Sequence, residues 1–233
     1  MSDKRYYLSK MSIFDVLTPD DLNELDQITP MKHFNALPKG SIIQKPDTAR
    51  DGLFFIKEGK VRLYKMTSEG KQFTIVILGK GNVFGEIDTF SFGTKGFYIE
   101  TMEETLICSV PKQEFENFLA ERPLLAMKML TELSKVLKFK DEMLEKLALG
   151  DVRDRILYLL LNLSERFGVE DEGNIRIDLP LTHQDVANMA GATREAVSVI
   201  LRTLAKNNVI QTGRKSISIS PVKVAEILEL TYS

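Results

Sequence analysis

One cysteine, Cys108, stands among 233 residues. A single thiol excludes an internal disulfide framework and fits a reducing compartment. It also excludes an iron–sulfur cluster held by four thiolates. Histidine is nearly as scarce, with only His33 and His183. The first falls in a β-rich region and the second in a helical one, and neither suits a haem axial ligand. Long apolar runs are lacking too. The longest aliphatic stretch, Ile156–Leu163, is far short of the roughly 20 residues that a membrane span needs. The first residues, MSDKRYYLSKMSIF, hold no apolar core of a signal peptide, so a cytoplasmic protein without a membrane partner is expected. No phosphate loop, nucleophile elbow or cluster of metal ligands is present, so no enzyme and no metal are expected. Nor is there a surplus of basic charge, since the net charge is -2.

What is there is an ordinary globular composition, 43% hydrophobic and 27% charged, arranged in three textures. Thr18-Pro19-Asp20-Asp21 opens a helix with a cap, a first-turn proline and acids at the positive end, and Leu22, Leu25 and Ile28 continue it. From Met31 to Pro111 short β-branched and aromatic runs alternate with glycine. These predict strands at Ser41–Gln44, Leu53–Ile56, Lys60–Tyr64, Gln72–Leu78, Phe97–Thr101 and Thr105–Val110, closing into a β-roll. Helical spacing then returns, at Glu114–Glu121 and from Pro123 to Leu149. In the second of these, Leu130, Leu133, Leu137, Leu144 and Leu147 recur every three or four residues, interrupted by Lys140. Met129, Val136 and Met143 widen the stripe, which asks for two covering surfaces, the β-roll and an identical helix of a second chain. Gly150-Asp151 marks a hinge, Val152–Phe167 a helix, Gly168–Gly173 an acidic loop and Ile175–Leu179 a strand. The fold class is α+β. The domains are a β-roll with its N-terminal helix over 1–111, connecting and dimerisation helices over 112–150, and a third domain over 151–233.

The third domain is organised around Leu181–Lys215. Thr182 is an N-cap with Asp185 as its capping-box partner. Val186, Met189 and Ala190 line one helix face, and Gly191 stops the helix in a left-handed conformation. Thr193 caps a second helix. Plotted at 100° per residue, Val197, Ile200, Leu201 and Leu204 take one side of it, and Glu195, Ser198, Val199, Arg202 and Lys206 the other. Ile217 and Ile219 then alternate with serines after Gly213-Arg214-Lys215, a hairpin with a basic tip. Two helices, a turn of about four residues and a hairpin make a winged helix-turn-helix. Between Leu179 and Lys215 five cations stand against two carboxylates, so a local basic surplus lies on the unit that would meet DNA.

A β-roll, a long connecting helix and a C-terminal winged helix-turn-helix, in this order, resemble the CRP/FNR family of bacterial transcription regulators. The residues that carry the likeness are Gly81-Asn82-Val83-Phe84-Gly85-Glu86, Gly150-Asp151-Val152 and Thr193-Arg194-Glu195-Ala196-Val197-Ser198. The resemblance implies a homodimer on palindromic double-stranded DNA, with contact to RNA polymerase. It puts the helix that begins at Arg194 in the major groove, with Arg194, Glu195, Ser198 and Val199 reading bases. Arg194 is suited to guanine O6 and N7, and Glu195 to cytosine N4. Members that read a TGTGA-type half-site carry an Arg where this chain has Val199, which offers only a methyl contact, so the half-site is expected to be related and not identical. Thr182, Gln184 and Thr193 take family places that touch phosphate; Arg202, Arg214 and Lys215 join them as basic residues on the same unit.

On the effector side the sequence departs from the family. Cyclic-nucleotide-binding members follow Gly-Glu, here Gly85-Glu86, about ten residues later with an Arg-Ser phosphate clamp. Those places hold Gly96 and Phe97, with Lys95 the nearest cation. The adenine-contacting hydroxyls become Lys140 and Asp141. Phe84, Phe90, Phe92, Phe97 and Tyr98 crowd the same region, filling the roll or lining an apolar pocket. No cofactor and no dependence on cyclic AMP are expected. A second reading keeps the fold as a small-molecule receptor whose winged helix contacts a protein.

Overall fold

The computed structural model describes residues 8–9, 11–28, 36–48, 52–87, 91–171, 173–213 and 215–232. His33, Phe90 and Arg214 lie outside them. The chain divides into two compact units, Met1–Lys138 and Phe139–Ser233.

The first unit begins with a single 3-10 turn, Ser12–Phe14, and helix α1, Pro19–Ile28. Eight strands follow: β1 Ala36–Leu37, β2 Ile42–Gln44, β3 Gly52–Glu58, β4 Val61–Met66, β5 Gln72–Leu78, β6 Val83–Glu86, β7 Tyr98–Thr101 and β8 Thr105–Val110. They form two antiparallel sheets of four strands, in the orders β1-β8-β3-β6 and β2-β7-β4-β5. The expected strands are all present, with ends moved by one or two residues. Phe54, Ile56 and Phe84 of the first sheet meet Ile43, Val61, Leu63 and Ile99 of the second in one buried cluster. The opposite face of the first sheet is also apolar. Leu53, Phe55, Cys108 and Val110 are buried there with Phe14, Leu22 and Leu25. They share that cluster with Phe115 and Phe118 of helix α2, Lys112–Ala120, and with Leu125 and Met129 of helix α3, Pro123–Leu149.

Arg122 joins these helices at the α2–α3 junction. Its guanidinium donates to Asp21 at 2.7 Å and Glu24 at 2.6 Å and lies 3.8 Å over the Phe118 ring. The Thr18 hydroxyl and N–H hold the Asp21 carboxyl below the usual carboxylate range, and Arg122 adds to the effect.

Helix α3 divides its apolar residues between two sides. Leu125 and Met129 are inside the first unit, whereas Leu130, Leu137 and Leu144 are 56%, 60% and 64% exposed. These three recur every seven residues, and Leu133 and Leu147 follow two of them by three, the a and d places of a heptad, with Lys140 in the d place between. Met129, expected to widen the stripe, lies in the core of the first unit, on the side that the β-roll covers, a quarter-turn away from the leucine line.

In the second unit Asp151 starts helix α4, Val152–Phe167, through a reciprocal capping box with Asp154. The acidic segment after it is a strand and not the expected loop. β9, Gly168–Asp171, pairs with β10, Asn174–Ile177. Gly173 at φ 80 permits the two-residue turn between them. All four β9 residues are exposed, so no hydrophobic alternation marks them as a strand. Helices α5, His183–Ala190, and α6, Arg194–Lys206, strands β11, Ile210–Gly213, and β12, Ser216–Ile219, and helix α7, Pro221–Tyr232, complete the unit. Its sheet runs β11-β12-β10-β9, and α4 packs against α5, α6, α7 and β10.

The outward leucines of α3 carry a prediction. In a chain that pairs through this line, replacing Leu137 and Leu144 together by Glu halves the mass measured by light scattering, because two charges replace apolar side chains at its a positions. A double variant that keeps the larger mass would place the interface elsewhere.

Candidate functional site

The hairpin of α5 and α6 is fixed by local chemistry at three points. The Thr182 hydroxyl accepts from the Asp185 N–H at 3.1 Å, and the Asp185 carboxylate accepts from the Thr182 N–H at 2.8 Å. Gly191 takes φ 62, ψ 41, the left-handed conformation that ends a helix without a Cβ clash. The Thr193 hydroxyl then accepts from the Ala196 N–H at 3.2 Å and starts α6. Val186, Ala187 and Ala190 of α5 and Val197, Leu201 and Leu204 of α6 are buried, which sets the helices on one another.

The other side of α6 is left open. Arg194, Glu195, Val199, Arg202 and Lys206 are exposed, and Val199 is 61% exposed on a helix whose other valine, Val197, is fully buried. Ser198 is engaged within the protein. Its hydroxyl lies 2.8 Å from the Arg194 carbonyl and 2.7 Å from Nδ1 of His183. The Thr182 hydroxyl is committed likewise, donating to Asp185 at 2.6 Å, and the Gln184 amide donates to Asn188 at 2.9 Å.

β11 and β12 form the wing. Gly213 pairs with Ser216, and Lys215 lies in the turn between them. Lys215 sits at φ 57. That conformation costs a side chain about 1 kcal/mol, and Gly or Asn is the usual occupant.

In the first unit the strand end Gly85-Glu86 meets the segment 91–97. Oε1 of Glu86 accepts from the Thr94 N–H at 2.8 Å, the Thr94 hydroxyl at 2.9 Å and the Lys95 N–H at 2.7 Å. Burial works against the charge, yet bonds from Ser91, Lys95 and Thr94 prevail and hold the carboxyl below its ordinary range. The Gln44 amide donates to the Thr94 carbonyl at 2.8 Å and closes the segment from β2. Gly85, at φ 121, allows close approach; a Cβ there would stand 2.2 Å from the Gly52 carbonyl oxygen. Inside the roll the Phe54 and Phe84 rings stack at 5.2 Å, both buried. The Phe97 ring carries the Lys65 ammonium at 4.9 Å. Lys140 and Asp141 are exposed positions of α3 in the second unit. Among the described residues no group of three His, Cys, Asp or Glu side chains could hold a metal ion, and no helix is long and apolar enough to cross a membrane.

Comparison with known proteins decides what this arrangement belongs to. Residues 34–122 match the cyclic nucleotide-binding domain family, and residues 154–223 match the Crp-like helix-turn-helix domain family. The global nitrogen regulator of Synechocystis sp. is 30% identical over 184 residues, 78% of this chain and 82% of that protein. The chain belongs to the CRP/FNR family of transcription regulators. A CRP-like cAMP-activated global transcriptional regulator of Mycobacterium tuberculosis is 28% identical over 214 residues, 91% of this chain and 94% of the relative. Among solved structures, a mutant of CooA from Carboxydothermus hydrogenoformans superposes with a TM-score of 0.71 at 27% identity, over 83% of this chain and 86% of that one. The protein is a CRP-like transcription regulator with a helix-turn-helix DNA-binding domain, and its relatives are regulators and not enzymes.

Two features of this CRP/FNR chain are invisible to spacing rules. The His183–Ser198 contact joins residues fifteen apart, and nothing in the periodicity of either helix announces it. The latch of Thr94 on Glu86 depends on a loop conformation, although a buried Thr beside an acidic strand end was a usable hint. The wing turn carries its own prediction. Lys215→Gly leaves the urea unfolding free energy equal or raises it by up to about 1 kcal/mol, because strain is relieved. The same change lowers the slope of log affinity for DNA against log salt by about one unit per protomer. An unchanged slope would remove Lys215 from the DNA contacts.

Proposed function

We propose that the protein acts as a homodimer on palindromic DNA and that it does so without a cyclic nucleotide. The observation that carries the DNA reading is the open face of α6, where Arg194 and Glu195 begin a helix capped by Thr193 and backed by a buried apolar side. Arg194 donates to a guanine, Glu195 accepts from a cytosine, and Val199 lies against a thymine methyl. Ser198 stands on the same face, its hydroxyl donating to the Arg194 carbonyl at 2.8 Å. Thr182, Gln184, Thr193, Arg202 and Lys215 border the phosphates, and Arg214 belongs with them by sequence. The leucine line of α3 supplies the two-fold pairing, whose symmetry matches two half-sites. Family membership supports contact with RNA polymerase as well.

The relative from Mycobacterium tuberculosis is named as cAMP-activated, and the domain it shares makes an effector site conceivable here. The residues present do not fit a cyclic phosphate. A buried anion needs a cation and several donors. Gly96 and Phe97 provide neither in their side chains, and Glu86, which a nucleotide sugar would need as an acceptor, is engaged by Thr94 and Lys95. Phe54 and Phe84 fill the interior between the sheets. A ligand shifts an equilibrium only by its difference in affinity for the two states, and this roll offers a cyclic nucleotide little of either.

Two measurements test these assignments. Glu195→Ala costs about 1–3 kcal/mol at one G·C pair of the selected site and relaxes specificity there; an unchanged sequence preference would displace α6 from the groove. Titration calorimetry with cyclic AMP and cyclic GMP gives no saturable heat, and neither nucleotide changes operator affinity. Micromolar binding with a large gain in operator affinity would refute effector independence and point to Lys95 as the clamp.

A further inference from the structure

We propose that His183 is a proton-dependent contact to a DNA phosphate, so that operator binding takes up a proton at each half-site. The inference rests on α6 as the DNA-reading helix. It begins from one hydroxyl. Ser198 Oγ lies 2.8 Å from the Arg194 carbonyl oxygen and 2.7 Å from His183 Nδ1. A serine hydroxyl has a single proton, and a carbonyl can only accept. Both contacts are satisfied when Ser198 donates to Arg194 and accepts from Nδ1–H of His183. The neutral ring is then the Nδ1–H tautomer, with a bare lone pair on Nε2.

That tautomer has consequences for an anion. His183 is exposed at the first position of α5, between Thr182 and Gln184, and its bond to Ser198 seats it against the open side of α6. A bare Nε2 can only repel a phosphate oxygen there. Once protonated, the same nitrogen becomes a charged donor, able to make a short charge-assisted bond. A phosphate therefore recruits a proton to Nε2, while Ser198 keeps the ring in place in either state. The charged groups on these helices are Asp185 on α5, Arg194, Glu195, Arg202 and Lys206 on α6, and Arg153, Asp154, Arg155, Glu165 and Arg166 on α4. Asp185 is held by Thr182 and Asp154 by the Asp151 cap, and among the described residues no carboxylate bonds to the ring. The charge that favours protonation thus comes from the DNA. Binding therefore weakens as pH rises.

The chain has only two histidines, which makes the test clean. A duplex selected by the full-length protein from a random-sequence pool serves as probe, and its affinity is measured from about pH 6 to about pH 8. The wild type is expected to lose about tenfold in affinity over that rise, and its salt slope to become shallower by about one unit per protomer. His33→Gln should follow the wild type. His183→Arg, a permanent cation, should bind tightly with little dependence on pH, and His183→Gln weakly with as little. Calorimetry of the wild type in two buffers of different ionisation heat, which needs no variant, should show net proton uptake on binding. A pH slope in His183→Gln equal to that of the wild type, or no proton uptake, would overturn the proposal while leaving DNA recognition intact. Failure to select any duplex at either pH would overturn the DNA reading itself.

Discussion

The first unit depends on β3 being apolar on both faces. Gly52 through Ile56 are all buried. Adjacent residues of a strand point to opposite sides, so Phe54 must go between the sheets while Phe55 goes under the helices. Phe55 stands 5.1 Å from Phe14 and 6.3 Å from Phe115, and Phe54 stacks on Phe84. A strand of this kind cannot be an edge or a solvent-facing layer. It demands a second sheet on one side and helices on the other, and with them the three-layer build of the unit. It also decides the character of the interior. Between the sheets the Phe54 and Phe84 rings stack beside Gly85-Glu86.

The second unit rests on shorter-range rules. Two threonine caps and a left-handed glycine set the path of the chain from α5 into α6, and the buried residues of the two helices fix their packing. The result is a helix with one side given to stability and one side left free. That division explains how a chain of net charge -2 serves as a DNA reader. Overall charge governs solubility and steering, whereas recognition needs a few donors and acceptors held at the right place.

Legibility in the sequence follows the distance over which each feature is determined. The caps at Thr182 and Thr193 and the turn at Gly191 involve partners three or four residues away, and residue type alone pointed to them. The order of strand, long helix and winged helix was readable because each texture extends over tens of residues. β9 was not, since Val169 and its neighbours are all exposed and carry no alternation. Met129 was read as widening the α3 stripe, and a wide apolar band does not say which residues face the β-roll and which a second helix; the structure gives Met129 to the β-roll side. Ser198 looked like a base reader from its place on the polar face. Only the structure shows its hydroxyl engaged by Arg194 and His183. Glu86 was recognised as part of a ligand cassette, but the loop that satisfies it is a matter of three-dimensional closure.

Glu86 has an implication for time as well as for affinity. Its carboxylate already accepts three hydrogen bonds from one loop, two from Thr94 and one from Lys95, and Gln44 holds that loop from the other side. A newcomer that displaced these donors from the oxygen would need the loop to lift first. Association would then be gated by a first-order opening step and would stop speeding up as ligand is added. Only the small fraction of molecules with the loop raised would be competent, and the apparent affinity would be weakened in proportion. For such a ligand, exclusion would depend on how long residues 91–97 stay closed as well as on the shape behind them.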